Sequence, residues 1–305
     1  MSRAVTVGAR LLVVVVVAGG VVLGAALLST LSGSGPAIEE APDRPEYDVD
    51  RIAPDRLDAG GESDPDAEVG TVLFDRTNDN RFEPGDIGPL LRSTTAAGGD
   101  VTFTSGDAPI GEQLDGVDVL VVVDPGQEYD QPEIESIREF VADGGQLLLL
   151  GEPTRTEIQE VDVGIQFADE HSELTALGAA FGISFDAQYL YDMEHNDGNF
   201  KHILVGPAAA EPAVADVEEV TMYTATAVEV DEGTVLLETA PTAESSSGGE
   251  NARPVAVQTA DGSVIAVGDT RFLSEPYHDV ADNEIFIERL VEFMAQGDRT
   301  DDDGG

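Results

Sequence analysis

Four acidic residues directly follow stretches of sequence that are apolar enough to form buried strands. They are Asp75, Asp124, Glu152 and Asp269. In parallel α/β sheets, ligands bind beyond the carboxyl ends of the strands, near the point where the strand order reverses. Carboxylates gathered there would bind a cation, an amine or a basic side chain of a partner. The competing interpretation is that each acid caps the following helix or loop, in a chain where acids are abundant.

The turn Gly151-Glu152-Pro153 ends the most apolar of these strands, the four leucines at 147–150. No thiol or serine stands at this turn, so the sequence predicts a pocket wall here and no covalent chemistry. Glu152 would contact the ligand. We then expect Glu152→Gln to alter binding without affecting folding.

Two polar segments contain carboxylates that could bind a metal ion. Residues 75–86 resemble a calcium loop, but the sixth and twelfth positions hold Asn80 and Asp86 where the EF-hand requires Gly and Glu. Residues 191–202 contain two histidines among acids, without the helical spacing of a zinc site. We interpret both as solvated loops, and we expect no metal and no cofactor.

Residue types of serine hydrolases also occur, without the accompanying motif. Ser274 and His278 lie four positions apart with no Gly-x-Ser-x-Gly turn nearby. Ser172 is predicted to cap a helix, and the same role is predicted for Asp282. We therefore predict no catalytic residues and a protein that is not an enzyme.

The elements that must position the four acids form an α/β pattern from residue 70 onward. Strands are predicted at 71–75, 101–104, 117–124 and 146–150. Helices are predicted around 87–97 and from an Asp130 cap to Gly144, and alternation of this kind indicates a doubly wound parallel sheet. The second half is predicted to contain a short helix ending at 182, an antiparallel strand pair within 217–240, a hairpin over 254–269 and a closing helix near 287–294.

The charge of the chain is extreme and spread along its length. Asp and Glu total 61 and Lys and Arg total 15, which gives a net charge of −46 over 305 residues. Concentrated salt screens such repulsion, so we predict a protein of haloarchaeal type. The alternatives are a disordered acidic chain, which the apolar content of 41% disfavours, and a cation store. Nucleic acid is not expected as a partner, because phosphate contacts require clustered basic residues.

The N-terminal region has the composition of a membrane anchor. Residues 11–28 carry no charge, and the flanking basic residues on the N-terminal side place that end in the cytoplasm. The alternative is a cleaved signal peptide. We predict an anchor at 1–31, a flexible acidic linker at 32–69, an extracytoplasmic α/β domain at 70–296 and an acidic tail at 297–305.

Three blocks of sequence together resemble domain of unknown function 4350. They are VLFD…NRF at 72–82, DVLVVVDP…IESIREFVADGGQLLLLGE at 118–152 and VIAVGDTRFLS…DNEIFIERLVEFM at 264–294. The resemblance implies the flavodoxin-like fold of class I glutamine amidotransferase-like domains. Those enzymes place a cysteine at the sharp turn after a buried strand, and the matching turn here is Gly151-Glu152-Pro153. This chain contains no cysteine, so their mechanism does not transfer to it.

The family resemblance also implies a role in membrane-associated systems. We predict a single-pass protein of the cell membrane whose domain is an accessory subunit, binding a ligand or a membrane protein partner in a system related to transport. Two alternatives stay open: a metal-assisted hydrolase that uses the strand-end acids, and a structural spacer.

Overall fold

The computed structural model describes residues 68–105, 108–161 and 164–297, and these form a mixed α/β domain around one large sheet. That sheet has nine strands in the order β2-β1-β3-β4-β14-β13-β11-β8-β9. A three-stranded sheet, β10-β7-β12, and a β5-β6 hairpin accompany it. The strands are β1 Thr71–Phe74, β2 Asp100–Phe103, β3 Val119–Val123, β4 Gln146–Leu150, β5 Arg155–Val161, β6 Gly164–Glu170, β7 Ile183–Tyr191, β8 His202–Pro207, β9 Val220–Tyr223, β10 Thr226–Val230, β11 Gly233–Thr239, β12 Glu244–Ser245, β13 Pro254–Thr259 and β14 Val264–Val267.

The first half of the large sheet is parallel. Strands β2, β1, β3, β4 and β14 run in the same direction. With β14 as the fifth strand, this is the 2-1-3-4-5 order of flavodoxin-like sheets, whose order reverses between the first and third strands. The predicted strands of the first half are confirmed, and β3 and β4 are buried at every position because helices cover both faces.

Helices pack on both faces of the parallel strands. They are α1 Gly88–Ala96, α2 Ile110–Gln113, α3 Gln131–Ala142, α4 Thr175–Ala179 and α5 Asn283–Met294. Alternate residues of β3 point to opposite cores: Val121 joins the side chains of α1 and α5, whereas Val122 joins those of α2 and α3. The two-sided burial explains why these strands read as continuous apolar runs rather than as alternating ones.

Helix α3 begins and ends as the sequence predicts. Asp130 accepts a hydrogen bond from the Glu133 amide at 3.0 Å, and the Glu133 carboxylate accepts one from the Asp130 amide at 2.8 Å. This reciprocal capping box satisfies two amides at the helix start. Gly144, with φ of 97°, follows the helix in the left-handed region.

The second half of the chain departs from the prediction at one hairpin. A turn does lie at residues 231–233, but the strands on either side of it do not pair. β10 pairs with β7 in the small sheet, and β11 pairs with β8 and β13 in the large one. The prediction of an antiparallel pair there was wrong, because local periodicity identifies strands and turns but not the partners of each strand. The hairpin of β13 and β14 is confirmed.

The start of α5 differs from the predicted cap. Asp282 makes no side-chain hydrogen bond to its own helix. Its carboxylate accepts bonds from the amides of Glu218 and Glu219, at 2.7 and 3.0 Å, while Asn283 bonds to the amide and carbonyl of Thr221. These hydrogen bonds connect the start of α5 to β9 and to the residues just before it, which lie more than 60 positions earlier in the chain.

Within residues 68–297, apart from the two gaps, no helix has the length and apolar character needed to cross a membrane. The predicted anchor at 1–31, nearly all of the predicted linker at 32–69, and the tail beyond residue 297 lie outside the described residues.

Candidate functional site

The four predicted acids follow neighbouring strands at the carboxyl edge of the sheet. They stand after β1, β3, β4 and β14, which are adjacent in that order. Their side chains are buried: relative exposure is 0% for Asp75, 1% for Asp124, 6% for Glu152 and 0% for Asp269. The carboxylates therefore lie beneath the surface, and each one is engaged by neighbouring protein groups.

Asp124 is the centre of a charged network at the end of β3. Its two oxygens accept hydrogen bonds from Arg81 Nε and Nη2, at 3.2 and 2.7 Å, and from Arg155 Nη2 at 2.8 Å. Glu170 lies 3.8 Å from Arg81 and 3.5 Å from Arg155. A buried carboxylate is costly without such partners, so Asp124 and the two arginines stabilise one another.

Ser172 connects this network to the next strand end. Its hydroxyl lies 2.5 Å from Asp124 Oδ1, and its oxygen accepts a hydrogen bond from the Glu152 amide at 2.7 Å. The predicted capping role was wrong, because α4 begins after Leu174 and has no side-chain cap. Ser172 instead joins the turns that follow β3 and β4.

Glu152 positions the loop that follows β14. Its Oε1 accepts hydrogen bonds from the amide and hydroxyl of Thr270, at 2.9 and 2.5 Å. Burial, reinforced by the nearby Asp269 carboxylate, raises the pKa of Glu152 from 4.5 to about 8. The protonated form is therefore favoured at neutral pH, and within the described residues no basic side chain forms an ion pair with Glu152.

Asp269 positions the same loop from its other side. Its oxygens accept hydrogen bonds from the amides of Tyr223 and Arg271, at 2.7 and 3.0 Å. Burial raises the pKa of Asp269 to about 6, although these two amides favour the ionised form. The backbone of the 270–273 segment is thus fixed by two buried acids.

Asp75 lies within the segment that resembles a calcium loop. Its Oδ1 accepts hydrogen bonds from the amide and hydroxyl of Thr77, at 2.9 and 2.7 Å, and its Oδ2 accepts one from the buried Tyr129 hydroxyl. The carboxylate thereby closes a polar turn. Among the residues that the structure describes, no group of three or more His, Asp and Glu side chains is arranged to hold a metal ion.

A cavity of about 330 Å³ opens at this carboxyl edge, beside the place where the strand order reverses. Loops after β1, β4 and β14 contribute its polar lining, which includes three arginines. The side chains with polar groups in this lining include Arg81, Arg155, Thr270, Arg271, Ser274 and Tyr277. The four predicted acids are not part of this lining. That they bind a ligand stays a prediction, but each of Asp124, Glu152 and Asp269 holds at least one residue that does line the cavity.

The other candidate segments make structural contacts with neighbouring loops. In the 191–202 segment, Asp192 accepts hydrogen bonds from the amides of Glu194 and His195 and from the Thr242 hydroxyl. Ser274 donates to the Arg271 carbonyl, and Nδ1 of His278 contacts the Glu275 carbonyl, so no serine–histidine pair forms. The first of these segments closes a loop, and the second shapes the cavity wall.

The arginines were the functional feature that sequence reasoning missed. Arg155 lies three residues after Glu152 and Arg271 lies two after Asp269, in a chain that has only 15 basic residues. The sequence signal that could have identified them is a basic residue two or three positions after a strand-end acid. Their convergence on one cavity depends on the sheet order, which the sequence does not state.

Family comparison agrees with the resemblance noted above. Residues 90–291 match the family described as domain of unknown function DUF4350. The chain belongs to the DUF4350 family. No curated protein sequence matches this DUF4350 chain significantly.

Solved structures resemble the DUF4350 domain to different degrees, at low sequence identity. The structure described as the mmIFT52 N-terminal domain aligns with a TM-score of 0.60 at 16% identity, covering 74% of this chain and 98% of that one. ThuA-like proteins from Parabacteroides merdae and Bacteroides uniformis align with TM-scores of 0.43 and 0.44, at 12% and 10% identity. These alignments cover 75% of this chain in both cases, and 90% and 91% of the other chains. At these identities a structural match concerns the fold alone.

Proposed function

We propose that this DUF4350 protein is a non-catalytic binding subunit of a membrane-associated system. The apolar segment at 11–28 would anchor it, with the α/β domain outside the cytoplasm and a membrane protein as its partner. The domain is proposed to be a flavodoxin-like, glutamine amidotransferase-like sheet whose catalytic cysteine is absent, from an organism of haloarchaeal type. A ligand or a segment of the partner would enter the cavity at the carboxyl edge.

The observation that carries the proposal is the cavity beside the reversal of strand order, where doubly wound sheets bind ligands. Its walls come from three separate segments of the chain, and buried acids hold a residue in each of them. At the turn where the related enzymes carry a nucleophile, Glu152 is 6% exposed and bonded to Thr270. Such a site is suited to recognition, because its polar groups are held in place before a ligand arrives.

The alternative of a metal-assisted hydrolase has less support in this arrangement. It needs several carboxylates that converge on one point, with open positions for a metal and a water molecule. Here Asp75, Asp124, Glu152 and Asp269 accept hydrogen bonds from different protein groups. A structural spacer, the third hypothesis, would not require the lined cavity.

The test is affinity purification of the tagged full-length protein from native membranes in detergent and molar salt, read by mass spectrometry. Wild type is compared with Ser274→Trp, which fills the cavity, and with Glu139→Trp on the exposed face of α3. We expect wild type and Glu139→Trp to retain the same stoichiometric membrane partner or bound small molecule, and Ser274→Trp to lose it.

Two results would contradict the proposal. Recovery of wild-type protein alone, with neither a partner nor a bound small molecule, argues against an accessory subunit. Retention of the partner or molecule by a folded Ser274→Trp variant argues against the cavity as the binding site. Membrane attachment is checked separately, by asking whether deletion of residues 1–31 releases the protein from the membrane fraction.

A further inference from the structure

We propose that the cavity at the carboxyl edge binds a small organic anion, with a carboxylate or phosphate group at Arg271 and the body of the ligand against the apolar wall. This inference rests on the proposed binding function and specifies the ligand class. It reverses the charge that the strand-end acids suggested in the sequence, where the ligand would be a cation, an amine or a basic side chain of a partner. The reversal follows from which side chains line the cavity.

Two of the arginines are pre-positioned by the acid beneath them. Asp124 fixes Arg81 through two hydrogen bonds and Arg155 through one. Arg81 Nη2 also contacts the His171 carbonyl at 2.6 Å. Within the described residues, Nη1 of each arginine makes no hydrogen bond, although Arg81 Nη1 lies 3.8 Å from Glu170. The two guanidinium groups therefore keep donors that the protein does not use.

Arg271 is the cation of this cavity whose charge is not neutralised by a direct contact. Its side chain is exposed, and in the part of the chain that the structure describes its guanidinium group makes no hydrogen bond or ion pair. Asp269 bonds only to its backbone amide, at 3.0 Å. The buried Asp269 carboxylate acts on the Arg271 charge through space, but within the described residues no acidic side chain contacts the guanidinium group. Guanidinium groups bind carboxylate and phosphate groups through paired hydrogen bonds.

The acids at the cavity limit the size of the anionic group that it can accept. Asp124 and Glu170 offset the charges of Arg81 and Arg155, and the exposed Asp86 carboxylate also borders the cavity. These three acids equal the three arginines in number, so the cavity is close to neutral as a whole and its positive end is local to the exposed Arg271 side chain. A ligand with one anionic group fits this balance better than a polyanion does.

The rest of the cavity is suited to an apolar or aromatic ligand body. Phe82 and Ile87 line it from the β1–α1 loop, and the half-buried Tyr277 ring lines it from the loop before α5. Tyr277 stacks on Tyr223 with ring centroids 3.9 Å apart, so its orientation is fixed. A volume of about 330 Å³ is at the small end of the range for ligand sites. One ring with one anionic substituent is therefore the ligand class that we expect.

The experiment measures binding of four probes of one shape and different charge. Benzoate and phenyl phosphate are anionic, benzamide is neutral and benzylamine is cationic. Full-length protein in lipid nanodiscs is dialysed to equilibrium against each probe in molar KCl, with empty nanodiscs as the blank. Molar salt is needed because it shortens the range of the overall repulsion to about 3 Å. The relative affinities of benzoate and phenyl phosphate distinguish a carboxylate ligand from a phosphate one.

The variants are Arg271→Gln and, as a control with the same change of net charge, Arg138→Gln. Arg138 is exposed on α3, which packs on the opposite face of the sheet from Phe82 and Ile87. We expect one or both anions to bind wild type and Arg138→Gln equally, and to bind Arg271→Gln about tenfold or more weakly. Arg271→Lys should bind with intermediate affinity, because it keeps the charge but not the paired donors.

The proposal is overturned if benzylamine binds better than both anions, if neither anion binds wild type above the blank, or if Arg271→Gln binds them as wild type does. These failures are distinct from a failure of the proposed function. If Ser274→Trp loses the membrane partner but wild type binds no anion, the proposed binding function is supported and the anionic ligand is rejected. Anion binding without any membrane partner would support the anion and reject the accessory role.

Discussion

At the scale of single residues, the strand-end acids hold other residues in place. Asp124 holds Arg81 and Arg155, and Glu152 and Asp269 hold the segment that begins at Thr270. A buried carboxylate can do this because it accepts several hydrogen bonds in a low-dielectric interior, where each bond is strong. The protein therefore uses acids, its most abundant charged type, to orient scarce basic and polar groups.

Glu152→Gln should flatten the dependence of stability on pH. The pKa of Glu152 is raised from 4.5 to about 8 in the folded state, so the folded chain keeps a proton that the unfolded chain releases. The resulting stability is fully present below pH 4.5 and is lost as pH rises towards 8. Glutamine does not titrate, and its carbonyl can accept the same bonds from Thr270.

The measurement is the thermal unfolding midpoint of full-length protein by circular dichroism, from pH 6 to pH 9 in constant molar salt. This range begins at the pKa of about 6 for Asp269, so most of the Asp269 contribution, which has the same sign, is lost below it, and the remainder is common to both proteins. Wild type should lose stability on the order of 1–3 kcal/mol over the range, and the variant clearly less. Equal slopes for the two proteins would show that Glu152 is ionised in the folded state.

At the scale of elements, the parallel and antiparallel halves of the domain are joined at β14. This strand pairs with β4 on one side and β13 on the other. Beyond its end, the Gly268 carbonyl accepts a hydrogen bond from the Thr226 amide at 2.7 Å, where β10 of the small sheet begins. At Gly268 the two sheets therefore approach each other closely, one residue before Asp269, the acid that holds the Arg271 amide.

Gly268→Ala should destabilise the domain. A Cβ there would lie 2.2 Å from the Thr226 carbonyl oxygen and 3.0 Å from Val228 Cγ2, and a backbone oxygen cannot move aside without breaking its sheet. We expect a loss of about 1–3 kcal/mol or more in the free energy of unfolding. Urea denaturation provides the measurement.

The matched control for that substitution is Gly85→Ala, where no atom lies within 4 Å of the added Cβ. It should leave the unfolding midpoint nearly unchanged or raise it slightly, because alanine restricts the unfolded chain. If both variants unfold at the same urea concentration, the close approach of the sheets at Gly268 is not important for stability.

At the scale of the whole molecule, the excess of acid dominates. With 61 acids and 15 basic residues, most carboxylates cannot have a basic partner. Among the described residues, one network of ion pairs, which joins Arg81 and Arg155 to Asp124 and Glu170, lies at the cavity. Repulsion among the remaining acids opposes the compact state until salt screens it. The prediction of adaptation to molar salt belongs to this scale.

Stability should therefore rise steeply with salt. Between about 0.2 and 3 M KCl we expect the unfolding midpoint to increase by about 10 °C or more, as screening removes several kcal/mol of repulsion. Sucrose of matched osmolarity at low salt is the control, since it favours compact states without screening charge. If the unfolding midpoint does not change with KCl concentration, or if sucrose raises it by the same amount, adaptation to salt through surface charge is contradicted.

The sequence by itself determined the parallel half of the fold and the place of the site. Continuous apolar runs at β3 and β4 identify strands buried on both faces, and a capping motif identifies α3 from its first residue. Both signals are local, because they arise from neighbours in the chain. They also placed Asp124 and Glu152 at strand ends, where ligands of such sheets bind.

Only the tertiary structure decided what lines the site. The pairing of β10 with β7 instead of β11, and the convergence of Arg81, Arg155 and Arg271 on one cavity, depend on contacts between segments far apart in the chain. No local pattern encodes such contacts, because strand register and loop placement are selected by the packing of the whole domain. Hence two of the acids that suggested a cation site, Asp124 and Asp269, hold arginine residues of the cavity instead, and the inferred charge of the ligand is reversed.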